Sequence, residues 1–327
     1  MDAARLTVVI DGVQREFAAG LSVLQALDTC RIELPTLCHD PRLAPTGQCW
    51  SCAVALSAGP GLPFHDHPAC REPLSEGCEI RTTDASLHDF RRHLLEQLAD
   101  RVAPADLARF PDKALHRELQ HRGIAARAAD GAPSGIDRSH PHIRVDMNRC
   151  ISCRRCVRIC EDLQGESVWH VLGRGADLRI STEGDVPLAE SACVGCGACV
   201  DTCPTATLTD ASAWREPPAT TWTRTVCPYC GVGCELDVGV AEDRMVAVRP
   251  ALESPVNKGH LCVKGRYAHA YVDAADRITT ARLRRNGRWR STGWDEAIAF
   301  AADGLRAIAT EHGPDAIGVL GSARATN

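Results

Sequence analysis

The stretch Cys150-Ile151-Ser152-Cys153-Arg154-Arg155-Cys156-Val157-Arg158-Ile159-Cys160 returns as Cys193-Val194-Gly195-Cys196-Gly197-Ala198-Cys199-Val200-Asp201-Thr202-Cys203. Each of the four cysteines is displaced by the same 43 positions. A constant offset at four positions implies two copies of one structural unit.

Both copies read C-x2-C-x2-C-x3-C, the spacing of the bacterial ferredoxin run. Three closely spaced thiolates can reach three irons of one cubane. The fourth lies too far round the turn and serves the other cluster. The expected ligand sets are therefore Cys150, Cys153, Cys156 and Cys203 for one [4Fe–4S] cluster, and Cys160, Cys193, Cys196 and Cys199 for the second. Pro204 follows Cys203 as the pattern expects, whereas Glu161 stands where a proline is usual after Cys160. Gly195 and Gly197 are small residues among the ligands, where backbone N–H groups can approach sulfide. Two zinc sites are the competing reading, but two matched four-cysteine runs at a shared offset fit clusters better.

Upstream, residues 1–84 read as a small mixed domain. Leu6 to Ile10 and Val13 to Phe17 are strands joined by an Asp11-Gly12 turn. Ser22 to Leu27 is a short helix, and Cys52 to Ser57 and Cys78 to Arg81 are further strands. This order is compatible with a β-grasp fold. The domain carries Cys38, Cys49, Cys52 and Cys70, spaced C-x10-C-x2-C-x17-C. Plant-type ferredoxins have a shorter first gap. With Pro35-Thr36-Leu37-Cys38-His39-Asp40 and Pro45-Thr46-Gly47-Gln48-Cys49, this group resembles the [2Fe–2S] domain of multi-cluster dehydrogenases, hydrogenases and respiratory complex I. The resemblance implies a [2Fe–2S] cluster on those four cysteines, with His39 a neighbour rather than a ligand. A four-cysteine zinc site is again the alternative.

Between the two cysteine regions, Leu87, Phe90, Leu94, Leu95 and Leu98 mark one face of a helix. A second helix begins near Asp112 and carries Leu115 and Leu119. Residues 85–141 are thus expected to be a helical linker, ending in a Gly- and Pro-rich stretch. Many relatives of the resembling families carry an extra cluster on one His and three Cys here. Residues 85–140 contain no Cys. His88 and His93 then read as polar positions on an amphipathic helix.

Downstream, Cys227, Cys230, Cys234 and Cys262 are spaced C-x2-C-x3-C-x27-C. Val226-Cys227-Pro228-Tyr229-Cys230-Gly231-Val232-Gly233-Cys234 and His260-Leu261-Cys262-Val263-Lys264-Gly265-Arg266 resemble the opening domain of the molybdenum/tungsten bis-(pyranopterin guanine dinucleotide) enzymes. The resemblance implies a third [4Fe–4S] cluster over residues 220–276, with Lys264 between cluster and pterin. Sixteen of the 18 cysteines are then assigned, leaving Cys30 and Cys78 as buried structural thiols. Thr292 is expected to cap a helix from Trp294 to His312, stopped by Gly313-Pro314. Ala316 to Leu320 is expected to be a buried parallel strand. Residues 277–327 would be the truncated start of a molybdopterin-binding α/β domain, with Ser322 and Arg324 as pterin contacts.

Composition narrows the partners. A net charge of −5 is no footprint for nucleic acid, and no apolar run has the length of a membrane span. Thiols at fixed short spacings in a chain without a secretory leader pattern point to metal ligands in a reducing cytoplasm.

The segments, in this order, resemble the α subunit of cytoplasmic NAD-linked formate dehydrogenases. Val168-Trp169-His170, Gly173-Arg174-Gly175 and Gly321-Ser322-Ala323-Arg324-Ala325-Thr326-Asn327 join the resemblance. It implies an α+β multidomain chain: a β-grasp [2Fe–2S] domain at 1–84, a helical linker, a 2[4Fe–4S] domain at 142–212, a small mostly-β [4Fe–4S] domain, and the start of an α/β domain. The implied role is to carry electrons from formate oxidation to a flavin- or NAD-binding subunit or another acceptor. The catalytic Cys or selenocysteine would lie beyond Asn327, so this stretch alone is expected to lack formate-oxidising activity. No G-x-G-x-x-G follows a strand, so NAD chemistry would belong to a partner. The alternatives are a large iron–sulfur subunit of an NADH–quinone oxidoreductase-like complex and a non-redox zinc protein.

Overall fold

In the computed structural model, which describes residues 5–128 and 135–321, Asp11 and Gly12 take φ of 47° and 81° and reverse the chain between two strands. Two consecutive left-handed residues match the right-handed twist of a hairpin. Strands β1 (Arg5–Ile10) and β2 (Val13–Ala18) pair antiparallel around that turn. Helix α1 (Val23–Thr29) follows, with Ser22 and Gln25 forming a reciprocal capping box. Strands β3 (Ala53–Ser57), β4 (His65–Pro68) and β5 (Glu79–Arg81) complete a mixed sheet in the order β2-β1-β5-β3-β4. β1 and β5 are parallel. Val8, Ile10, Val54 and Ile80 pack with Val23, Leu24 and Leu27 of α1 as the core. β4, with only His67 and Pro68 turned inward, gave no apolar alternation to read.

Three helices follow: α2 (Ala85–Leu98), α3 (Pro104–Arg109) and α4 (Ala114–His121). The expected face of α2 is partly redrawn. Phe90 is exposed, while Arg91 is buried and donates to the carbonyls of Thr82 and Ala53. A buried guanidinium that finds backbone acceptors displaces an apolar residue from the inward face. The segment is also more than a linker. Leu95, Ala99, Val102, Leu115 and Leu119 share one core with Leu37, and Ile151 packs against it. Those two residues stand next to Cys38 and Cys150, so the helices floor both cysteine loops. His88 and His93 are exposed on α2.

The repeat region begins with β6 (Ile136–Asp137) and β7 (Ile143–Asp146). α5 (Arg155–Arg158) runs into a π turn over Ile159–Leu163. β8 (Trp169–Leu172) and β9 (Arg179–Thr182) form a hairpin. α6 (Ala198–Thr202) and β10 (Leu208–Asp210) close the region, and β10 pairs back onto β7. That pairing returns the second copy to the start of the first.

Met1–Pro218 forms one structural unit and Ala219–Asn327 another. In the second, β11 (Thr221–Val226), β12 (Glu235–Ala241) and β13 (Arg244–Pro250) make an antiparallel sheet. α7 (Val263–Tyr267), the hairpin β14 (Ala281–Arg285) and β15 (Arg288–Thr292), and α8 (Trp294–His312) follow. The cap of α8 is Gly293 rather than Thr292, whose hydroxyl donates to Glu296 instead. Ile298, Leu305 and Ile308 are exposed. The strand expected over Ala316 to Leu320 does not form; Pro314–Ala316 is a short 3-10 turn, and Val319 and Leu320 are exposed. A parallel strand needs neighbours to satisfy its backbone, and none pairs with it among the described residues.

Candidate iron–sulfur sites

The local backbone of the repeat is itself repeated. Ser152 and Arg154 take φ of 53° and 59°, and their counterparts Gly195 and Gly197 take 66° and 76°. In each copy the left-handed residue turns an N–H onto the preceding cysteine: Ser152 N lies 3.4 Å from Cys150 Sγ, and Gly195 N 3.4 Å from Cys193 Sγ. Glycine meets this conformation without a Cβ penalty; in the first copy Ser and Arg carry the strain. Val168 N supplies a third such contact to Cys160 Sγ at 3.4 Å.

Two cavities lie within the repeat region. One is lined by Cys150, Cys153, Cys156 and Cys203, with Ile151, Ile180 and Leu208 among the apolar walls. The other is lined by Cys160, Cys193, Cys196 and Cys199, with Ile143, Val168 and Trp169. The fourth cysteine of each run therefore faces the other run's three. Burial, with neighbouring thiolates added, pushes Cys153 up to about 12 and carries Cys156 and Cys199 well above the ordinary thiol range. Four thiolates in such a space need positive charge among them, which iron supplies and an empty cavity does not. The donor set and the inward N–H groups fit a cubane.

The N-terminal cysteines are also gathered. Cys38, Cys52 and Cys70 are buried and Cys49 half-buried. Cys49 is raised by its contact with Cys38 and by burial, while Cys52 is lowered by the hydrogen bond from Cys70. Thr46 Oγ1 reaches Cys38 Sγ at 3.7 Å, and Ser51 Oγ lies 3.1 Å from Cys49 Sγ. These thiols sit at the edge of the sheet core, which includes Cys52, Cys70 and Cys78. Cys78 is thus a buried structural thiol, and Cys30 packs half-buried against the same core.

In the second unit, Cys227 N donates to Cys234 O at 2.8 Å and closes the first three-cysteine loop. Asn257 holds the returning segment: its Oδ1 accepts from Glu235 N at 2.9 Å, and its Nδ2 donates to Glu235 O and His260 O. Cys262 then caps α7. Burial raises Cys227 and Cys234, and each feels Cys230 and Cys262. Lys264 is exposed on the first turn of α7. Ser322 and Arg324 lie outside the described residues. Among the described residues, no three His, Cys, Asp or Glu groups converge on a point suited to a single metal ion.

Several residues that shape these sites escaped the sequence. Asp40 is buried, and burial alone would raise its pKa. Hydrogen bonds from Arg42 and Thr202, with the Arg42 charge, hold it far below the usual carboxylate range. Arg149, next to Cys150, pairs with Asp106 of α3. Asp40 closely follows Cys38 and could have been flagged; of its partners, Arg42 is close by, while Arg155 and Thr202 lie far away in sequence.

Three family models match in series: the 2Fe-2S iron-sulfur cluster binding domain over residues 3–85, the ferredoxin-like domain of NADH-quinone oxidoreductase subunit 3 over 140–209, and the molybdopterin oxidoreductase Fe4S4 domain over 220–274. The chain thus carries, in series, segments similar to a 2Fe-2S cluster binding domain, a ferredoxin-like domain and the Fe4S4 domain of molybdopterin oxidoreductases. Among particular relatives, it is 25% identical to a Staphylococcus aureus (strain USA300) protein named provisionally a formate dehydrogenase, covering 98% of this chain and 37% of that one. It is 32% identical to an NADH-quinone oxidoreductase subunit of Rhizobium meliloti (strain 1021), covering 90% of this chain and 35% of that one. The chain therefore spans little more than a third of these relatives' length. A solved structure of an NAD+-reducing [NiFe]-hydrogenase in its H2-reduced state shares the fold, with a TM-score of 0.53 at 24% identity over 63% of this chain and 87% of that one. Among the described residues, no helix is long and apolar enough to cross a membrane.

Proposed function

We propose that this chain is the iron–sulfur wire of a cytoplasmic, molybdopterin-dependent formate dehydrogenase. The carrying observation is the exchange of fourth cysteines between two cavities, which is the donor arrangement of two adjacent cubanes. One [2Fe–2S] and three [4Fe–4S] centres would be held by the sixteen cysteines grouped above. When bound, they supply one-electron redox steps and move no atoms. The protein's own residues exclude water, orient N–H groups toward sulfur, and set the spacing between sites.

In the complete enzyme, formate would lose two electrons and a proton to become carbon dioxide at a bis-pterin metal centre. The electrons would enter through the Cys227 group and leave for a flavin- or NAD-linked subunit. Lys264, exposed beside Cys262, is suited to face the pterin. The matched S. aureus relative and the Fe4S4 domain support this reading. The higher identity to the R. meliloti relative favours a second one, the iron–sulfur subunit of an NADH–quinone oxidoreductase-like complex.

Metal analysis tests the wire itself. Anaerobically prepared protein should be brown and contain about 14 iron atoms with acid-labile sulfide. Colourless protein holding zinc would end the proposal. A pterin domain with a catalytic Cys or selenocysteine in the same gene would favour formate; a gene whose product neither binds pterin nor oxidises formate in its assembled complex would favour the second reading.

A further inference from the structure

Asp40 stands two residues after Cys38 and is 2% exposed. Its own loop supplies Arg42, whose Nε donates to Oδ1 at 2.9 Å and whose Nη2 donates to Oδ2 at 2.8 Å. The other donors come from the repeat region. Thr202 Oγ1 donates to Oδ2 at 2.7 Å and Arg155 Nη2 at 3.1 Å, across 162 and 115 residues of sequence. Arg155 Nε also donates to Thr202 Oγ1 at 2.9 Å, closing a triangle on one carboxylate oxygen.

The donors are not placed at random. Arg155 immediately precedes Cys156, and Thr202 immediately precedes Cys203, both walls of the first cavity. Further bonds run between the same loops. Arg158 donates to the carbonyls of Cys38 and Ala44 at 2.6 Å each, and Gln48 Nε2 donates to Cys153 O at 2.6 Å. The loop bearing Cys38 and Cys49 is thus fastened to three of the four cysteine positions of one cavity, with a buried charge at the centre.

We propose that Asp40 is a positioning residue, whose carboxylate sets the separation and orientation of the N-terminal site and the Cys150–Cys153–Cys156–Cys203 site for electron transfer. This rests on the reading of both as iron–sulfur sites. The transfer moves one electron, oxidising one centre and reducing the other by one, with no bond made or broken. Asp40 touches neither reacting centre; it acts through Thr202, Arg155 and the Cys38 loop.

The test uses the full chain, reconstituted anaerobically with iron and sulfide. EPR power saturation measures how reduction of one centre speeds spin relaxation of the other, and flash photoreduction follows transfer between them. Asp40→Asn keeps the side-chain size but removes the charge. It should retain the full iron content, weaken the relaxation enhancement and slow transfer by about tenfold or more, because small displacements are costly. Asp40→Glu should recover part of the loss. Asp185→Asn, which removes an exposed partner of Arg179, should change neither reading. Should Asp40→Asn fail to fold, Gln48→Leu removes only an exposed side chain's bonding to the Ser152 and Cys153 carbonyls and should reproduce the defect in milder form. Wild-type relaxation and transfer rates in the iron-replete variants would overturn the proposal, as would a wild-type N-terminal signal indifferent to the neighbouring centre. A wild-type chain with no iron–sulfur signal overturns the underlying reading instead.

Discussion

Arg149 Nε lies 2.9 Å from Asp106 Oδ2, with both side chains less than a tenth exposed. The pair joins α3 to the residue before Cys150, so the helical segment is bolted to the loop that opens at Cys150. Removing Asp106 takes the 2.9 Å partner from buried Arg149 and leaves Asp146 Oδ2 at 4.0 Å. Asp106→Ala should therefore cost about 3 kcal/mol in urea unfolding. It should also loosen the Cys150 loop, read as faster loss of iron to a chelator. An unchanged midpoint would mean that Arg149 does not depend on Asp106.

The exchanged cysteines give a paired expectation. Cys203→Ala should remove the centre lined by Cys150, Cys153 and Cys156 and spare the other. Cys160→Ala should do the reverse. Each variant should lose about four irons and a different EPR component. If Cys203→Ala abolished the centre lined by Cys193, Cys196 and Cys199 alone, the exchange would be wrong.

Asn257 makes three hydrogen bonds to the backbone flanking the third cysteine group. Asn257→Ala removes these three bonds, although Glu235 O keeps Ala251 N at 3.2 Å, and a buried backbone group left unsatisfied costs about 1–3 kcal/mol. Iron at the Cys227 group should become substoichiometric while the other centres stay full. Retention of every centre would reduce Asn257 to a surface contact.

On the formate dehydrogenase reading proposed above, Lys264 carries an expectation for the complete enzyme. Lys264→Met should slow formate turnover while the Cys227 group keeps its iron and its EPR signal. Turnover at the wild-type rate would remove this side chain from the electron path.

His116 of α4 is fully buried, and its Nδ1 donates to Phe110 O at 2.8 Å, which fixes the neutral tautomer. Burial lowers its pKa to about 4 from an ordinary 6.5. Between those values the unfolded chain binds the proton and the folded chain does not. The stability is thus fully present above pH 6.5 and falls as pH drops toward 4, by on the order of 3 kcal/mol in total. Denaturant melts at stepped pH should show this slope in the wild type and a shallower one in His116→Gln. Parallel curves for the two would refute it.

Local devices were legible because they depend on neighbours in sequence. Asp11-Gly12 announces its turn, and the cysteine spacings their groups. The expected face of α2 holds at Leu87 and Leu95 and fails at Phe90, because Arg91 turns inward to the carbonyls of Thr82 and Ala53, which no helical periodicity reveals. The strand over Ala316 to Leu320 was misjudged for the opposite reason: its apolar residues suit a sheet, but a strand exists only with a partner to bond.

The amino-acid order by itself determined which thiols can gather into a group, because meeting within a short loop is a matter of spacing and backbone reach. Only the tertiary structure decided how the groups are held relative to their surroundings. It buried Asp40 among donors from distant loops, set Leu37 and Ile151 on one helical floor, and paired Arg149 with Asp106. Those arrangements arise from desolvating charge and closing apolar surface across long sequence separations, which depend on the whole fold at once.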